Sequence, residues 1–450
     1  MTQRPAHERH GMNDYAARRA EFARRMGADA VAVIPAARHA TRNADTEYEY
    51  RQNSDFYYLT GLNEPDAVLV LAPHAGEPVT LFLRPRDRTA EIWTGRRVGV
   101  EGAVSDLGMG AAYPIEELAE RLPALLVGAT TLHYGLSLDE RTDRTILDAV
   151  GKARFSVRRG GKAPQSFVEP GVVLHEMRLR KSESELAIMR RAATASLAGH
   201  EAGMRATRPG LGEWELEAVI EYNYRLAGAQ DVAYPSIVAG GANATILHYN
   251  TNRDVLRDGD LVLVDSGAEV DVYASDVTRT WPVNGKFSAE QRALYEIVLR
   301  AQKAGIQEVR TGKSYNAYHD AAVRVLTEGL VDVGLLSGSI DSLIEENKFF
   351  EFYPHRTGHW IGLDVHDAGR YKNDDDTYRP LEPGMVLTVE PGLYVQPDLD
   401  VPERWKGIGI RIEDDVLCTS GEPDVLTAAI PKEIEDIERI TGADALAGVR

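Results

Sequence analysis

Gly259-Asp260-Leu261-Val262-Leu263-Val264-Asp265 and Gly384-Met385-Val386-Leu387-Thr388-Val389-Glu390 follow one pattern: a glycine turn, an apolar strand, and a carboxylate at the same offset. What precedes each is also matched. Ser182-Glu183-Ser184-Glu185 is a capping box, in which the serine caps the first turn and the glutamate returns the bond. It opens a helix expected to run to about Thr207, where Pro209-Gly210 stops it. A second helix is expected over about 212–227, with Leu216, Val219, Ile220 and Tyr224 at helical spacing. Ser288-Ala289-Glu290-Gln291 is another capping box, opening a helix to about Arg310, and a further helix is expected over about 314–335. Helix, helix, strands thus occurs twice, the signature of an internal duplication.

Upstream the texture differs. Val31-Ala32-Val33-Ile34, Ala67-Val68-Leu69-Val70-Leu71 and Val79-Thr80-Leu81-Phe82-Leu83 are apolar, of strand length, and end at proline or charge. Helical stretches near 14–26, 115–127 and 138–151 surround them, which predicts an α/β layer domain. Turn-rich Gly160-Gly161-Lys162-Ala163-Pro164 and Glu169-Pro170-Gly171 mark the junction. The expected division is therefore an α/β domain over 1–172 and a duplicated α+β domain over 173–450.

The strand-end carboxylates carry the chemistry. Asp265 closes an aliphatic strand, where an unpaired carboxylate is costly to bury. A hairpin with its tip near Val270-Asp271 would set Asp276 directly opposite Asp265. Opposed Cβ atoms lie only about 5 Å apart, and like charges there repel. A cation between them resolves the conflict. Glu390 repeats the arrangement in the second half. In Ile408-Gly409-Ile410-Arg411-Ile412-Glu413, strand alternation puts Arg411 and Glu413 on one face. Tyr353 to Asp367 contains His355, His359 and His366, three of the chain's 12 histidines, interleaved with Trp, Ile, Leu and Val. Four carboxylates and one histidine make a hard, oxygen-rich set that suits Mn²⁺, or Co²⁺ or Fe²⁺, better than structural zinc. Four negative charges balance two divalent ions.

Composition narrows the class. With 450 residues, 43% hydrophobic and 27% charged, the chain is expected to be globular and to form more than one domain. A net charge of −18 argues against a nucleic-acid partner, whose phosphates require basic patches. No apolar run reaches membrane-span length, and the polar start Met1 to Asp14 has no secretory pattern. The single cysteine, Cys418, fits a reducing cytosol. Two motif matches fail: Thr311-Gly312-Lys313-Ser314 lacks the upstream glycine of a phosphate loop (Gln307 stands there), and His175-Glu176 and His200-Glu201 lack the second histidine of a zincin helix.

The segments at 261–267, 274–283, 359–367, 383–394 and 409–415, with 42–61 near the N-terminus, resemble the Xaa-Pro aminopeptidases of the creatinase–prolidase family over nearly the whole chain. The resemblance implies a creatinase-type N-terminal domain and a pita-bread catalytic domain. It implies two divalent ions on Asp265, Asp276, His359, Glu390 and Glu413, and hydrolysis of peptides with an Xaa-Pro N-terminus by a metal-bridging hydroxide. His248, His355 and His366 match the family's non-ligand histidines, Arg411 the arginine beside a ligand aspartate, and Trp93 a residue that neighbouring subunits lend to the site. A homo-oligomer, dimer or tetramer, follows from that last match. Arg356-Thr357 departs from the family pattern of Gly-Leu and adds bulk and charge near the pocket. Prolidase activity on Xaa-Pro dipeptides stays open beside the aminopeptidase reading. A non-catalytic pita-bread module would have eroded ligands, and none is eroded here.

Overall fold

Ser182 and Ser288 cap their helices as their sequence pattern requires. Each hydroxyl accepts from the backbone N–H three residues on, and Glu185 or Gln291 bonds back to the cap N–H. The helices run Glu183–Ala206 and Ala289–Glu308 in a computed structural model of the protein. It describes residues 6–137 and 139–444. Each of these helices packs against the next, Glu213–Leu226 and Ala317–Asp332. Close approach depends on glycine in both pairs. A Cβ on Gly199 would stand 2.2 Å from Tyr224, and one on Gly329 would stand 2.4 Å from Ile297.

Strands follow each pair. Leu261–Asp265 lies between Ile237–Gly240 and Thr278–Pro282, and Val386–Val389 pairs with Asp414–Leu417, which continues to Asp424–Val425. Gly259 and Gly384 precede the matched strands with φ of +88° and +89°, a conformation that glycine adopts without steric cost. The duplication is thus repeated in backbone geometry as well as in element order. The two halves are joined where Glu413 N–H donates to Thr278 O (3.1 Å) and Thr280 Oγ1 donates to Arg411 O (3.0 Å). A continuous apolar core, including Val262, Val264, Trp281, Leu294, Val298, Leu393 and Ile410, fills the space between helices and sheets.

One expectation about register fails. Asp265 faces Thr278, not Asp276. The reversal occurs at Asp271-Val272, both left-handed with φ of +48° and +70°, the two-residue turn that matches strand twist. The turn sits one residue later than its expected tip, which moves every cross-strand partner by two. Asp276 therefore lies in the irregular segment before the Thr278–Pro282 strand.

The chain divides into two units, Met1–Arg178 and Leu179–Arg450. The junction expected at 172/173 falls inside the helix Gly171–Arg178, with which the first unit ends. That unit holds a six-stranded mixed sheet in the order 111–114, 79–83, 68–71, 30–35, 131–133, 166–168. Helices Leu118–Leu126 and Glu140–Ser156 cover it with Leu122, Leu126, Ile146 and Val150. Among the described residues no helix is long and apolar enough to cross a membrane.

Candidate active site

A cavity of about 900 Å³ opens in the second unit, and its wall includes Asp265, Asp276, His359, Glu390 and Glu413. Ligand atoms of Asp276, His359 and Glu413 all lie within 4.8 Å of one another. Asp265 joins them through Tyr234, whose hydroxyl is 2.6 Å from Asp265 Oδ1 and 2.5 Å from Asp276 Oδ1. Glu390 joins through His359, whose Nε2 stands 3.4 Å from Asp276 Oδ2 and 3.7 Å from Glu390 Oε1. His359 Nδ1 lies 3.0 Å from the carbonyl of Trp360, which orients Nε2 toward the carboxylates. Metal-binding histidines are commonly held in this way.

The neighbouring bonds fix the remaining oxygens. Arg411 Nη2 donates to Asp265 Oδ2 (2.6 Å), its Nη1 to Tyr394 OH (3.0 Å), and its Nε to Thr278 Oγ1 (3.0 Å). Thr278 Oγ1 donates in turn to Glu413 Oε2 (2.6 Å). Asp276 N–H donates to both oxygens of buried Asp415 (3.3 and 3.2 Å). Behind Glu413, the buried Arg279 guanidinium donates to Glu413 O and pairs with Asp414 at 2.7 Å, and Lys432 pairs with the same aspartate at 2.5 Å.

The electrostatics of this cluster favour a cation. Burial, with the repulsion of neighbouring carboxylates, holds Glu413 well above the usual carboxylate range and brings Glu390 to about 7. Burial also raises Asp265, despite Arg411. Burial would raise Asp276 as well, but the bond and charge of His359 outweigh it. Desolvation would lower His359, and its acidic neighbours instead lift it to about 9. Four carboxylates at such distances cannot all be ionised unless positive charge lies among them. Oxygen donors of this number, with one oriented imidazole, fit a divalent ion of the hard or borderline kind.

Of the other residues singled out from sequence, His248, His355, His366 and Arg411 line the same cavity. The His366 ring stands 4.2 Å from that of His359, centroid to centroid. Both His355 nitrogens are engaged, Nδ1 at 2.8 Å from Arg356 O and Nε2 at 2.9 Å from Tyr394 OH, and burial brings its pKa down to about 3. Trp93 is not among the residues that line this cavity. It lies in the first unit on the helix Arg88–Thr94, with 84% of its surface exposed. Sequence reasoning missed Tyr234, Thr278 and Tyr394. The Tyr234 partners lie 31 and 42 residues away, and nothing in Ala233-Tyr234-Pro235 announces them.

Residues 187–420 match the model of metallopeptidase family M24, and residues 15–133 match that of the aminopeptidase P N-terminal domain. The chain belongs to metallopeptidase family M24. Its fold is the M24 pita-bread catalytic domain preceded by an aminopeptidase P N-terminal domain. The Xaa-Pro aminopeptidase of Haemophilus influenzae is 46% identical over 400 residues, covering 89% of this chain and 90% of that protein. The Xaa-Pro aminopeptidase of Escherichia coli is 44% identical over 429 residues, covering 95% and 97%. The structure of Pseudomonas aeruginosa aminopeptidase PepP is similar over 100% of both chains, with a TM-score of 0.94 and 44% identity. As an M24 member, the chain pairs a group able to hold a metal, Asp276, His359 and Glu413, with an architecture shared by solved aminopeptidases.

Proposed function

We propose that this chain is an aminopeptidase that hydrolyses the bond between an N-terminal residue and a proline in second position. The observation that carries the reading is the group of buried Asp265, Asp276 and Glu413 with half-buried Glu390 and His359 on one cavity wall, in a chain related along most of its length to Xaa-Pro aminopeptidases. Asp265, Asp276, His359, Glu390 and Glu413 would hold two divalent ions, and the donor set suits Mn²⁺. When bound, such ions supply Lewis acidity, polarising the scissile carbonyl and making water a better acid.

The chain's own groups do the rest. Glu390 reaches the cavity between His359 and His355. It takes a proton from the attacking water and passes it to the departing prolyl nitrogen. His366 and His248 donate hydrogen bonds to the substrate carbonyl and to the charge that develops on it. His355 and Arg411, tied together through Tyr394, wall the space for the proline ring. A peptide bond before proline has no N–H, so that ring must be recognised by shape. Tyr234 and Arg411 hold Asp265 in place rather than reacting. Trp93, exposed on the first unit, is assigned to the site of a neighbouring copy in a homodimer or tetramer. Buried Cys418 as the single cysteine supports a cytosolic location.

The test is the initial rate on three peptides: Xaa-Pro-Xaa, Xaa-Ala-Xaa and the dipeptide Xaa-Pro. Release of the first residue from the proline tripeptide alone, or far faster than from the others, is expected. Cleavage of the dipeptide alone would make the chain a prolidase. No cleavage of any of them by metal-loaded protein would leave a binding module.

A further inference from the structure

Besides the carboxylates and histidines, the cavity wall holds a second kind of surface, built from Arg356 and the rings of Tyr315, Tyr371 and Tyr378. The backbone on either side of Arg356 is locked. His355 Nδ1 stands 2.8 Å from the Arg356 carbonyl, and buried Thr357 Oγ1 meets His319 Nδ1 at 2.8 Å and Tyr353 OH at 2.7 Å. The side chain is left to face the cavity. Its guanidinium donates to Asn316 Oδ1 and lies 5.7 Å from the centroid of the Tyr378 ring. Tyr378 stacks on Tyr315, and the Tyr315 hydroxyl is fixed on Gly358 O at 2.9 Å. Arg356 is thus a supported cation.

Among the described residues its charge has no counter-ion. Neighbouring cations have them: Arg370 pairs with Asp374 at 2.7 Å and Lys372 with Asp376 at 2.9 Å. Among the described residues Arg356 forms no ion pair, although the chain carries a net −18. A guanidinium has five N–H donors in a fork that fits a carboxylate, and Asn316 accepts from only one of its nitrogens. The cavity therefore has an acidic part and a separate basic part. A short peptide has the complementary pair of charges, an α-amine at one end and a carboxylate at the other.

We propose that Arg356 is a specificity-determining residue that binds a carboxylate of the peptide substrate, so that the enzyme prefers anionic peptides. This rests on the aminopeptidase reading above. The carboxylate has two sources, the C-terminus of a short peptide or an acidic side chain after the proline, and both offer the same fork-shaped acceptor.

The test compares kcat/KM within two substrate pairs, using metal-loaded wild type, Arg356→Gln and Arg356→Lys. One pair is an Xaa-Pro-Xaa tripeptide with a free or an amidated C-terminus. The other is a longer amidated Xaa-Pro peptide with Asp or Asn in third position. In the wild type the acid of at least one pair is expected to be preferred roughly 5- to 30-fold, as for a charge-assisted bond at a partly exposed site. That ratio should fall to about one in Arg356→Gln and stay intermediate in Arg356→Lys. The pair that shows the effect identifies the source. A purely structural role for Arg356 would slow both members of a pair equally and leave the ratio unchanged, which overturns the proposal. Wild-type ratios near one for both pairs overturn it too. Failure of the wild type to cleave any of the four peptides overturns the aminopeptidase reading itself.

Discussion

His200 is buried behind the site, and substituting it should remove a defined part of the protein's acid sensitivity. Its Nε2 lies 2.9 Å from Ser266 O, one residue beyond Asp265, while its Nδ1 is buried with no partner. Tyr224 OH also donates to Ser266 O (3.1 Å), so two side chains fix the backbone beside Asp265. Burial, only partly offset by the Ser266 carbonyl, lowers the His200 pKa from 6.5 to about 4. The unfolded chain therefore binds a proton below pH 6.5 that the folded chain refuses until about pH 4. Stability from this residue is complete above the unfolded value and is lost as pH falls through the window. At about 1.4 kcal/mol per pH unit the full loss is roughly 3 kcal/mol, of which about 2 kcal/mol has gone by about pH 5. The assay is urea unfolding of metal-loaded wild type and His200→Gln at about pH 7 and about pH 5. Metal release and the other carboxylates titrate in both proteins and cancel in the comparison. The wild type should lose about 2 kcal/mol more than the variant on acidification. Equal losses would refute the assignment of a buried, neutral His200.

Three further substitutions probe the support around the ions. Tyr234→Phe removes the hydroxyl shared by Asp265 and Asp276 and should weaken metal binding about 10- to 100-fold with the fold intact; calorimetry showing unchanged affinity would contradict this. A Cβ on Gly358 would stand 1.9 Å from Thr388 O, so Gly358→Ala should displace the adjoining His359 and cost at least about tenfold in metal affinity. Wild-type affinity would show that the segment relaxes freely. Arg279→Met leaves Asp414 buried with Lys432 as its remaining cation and removes donors from Pro431 O, Ile430 O and Glu413 O. A loss of about 3–5 kcal/mol is expected on denaturation, and a loss below about 1 kcal/mol would mean that the network is not what holds Glu413.

Local chemistry made much of this molecule readable from its sequence. Ser182 and Ser288 mark their helix starts because a capping box is complete within four residues. The duplicated Gly-to-carboxylate segments could be matched because they repeat in sequence what they repeat in space. Register was less accessible. The choice of Asp271-Val272 for the turn depends on two non-glycine residues accepting positive φ; Asp271 favours a turn, but β-branched Val272 disfavours that conformation. The candidate ligands lie in short, locally legible segments, whereas the groups that hold them, Tyr234, Thr278, Tyr394 and Asp415, come together only through tertiary structure. A tyrosine bridging two aspartates from 31 and 42 residues away leaves no periodic trace. Arg356 is legible in sequence as added charge, but that no described residue pairs with it follows only from its folded surroundings.

The most direct test of the account is a Mn²⁺ titration of chelator-stripped protein, following heat of binding and Xaa-Pro-Xaa hydrolysis together, for the wild type and Asp265→Ala. Two ions per wild-type chain are expected, with hydrolysis rising as they bind, and the variant should neither bind both ions nor turn over the peptide. Hydrolysis by the stripped wild type, or full Mn²⁺-stimulated activity in Asp265→Ala, would contradict the dinuclear site.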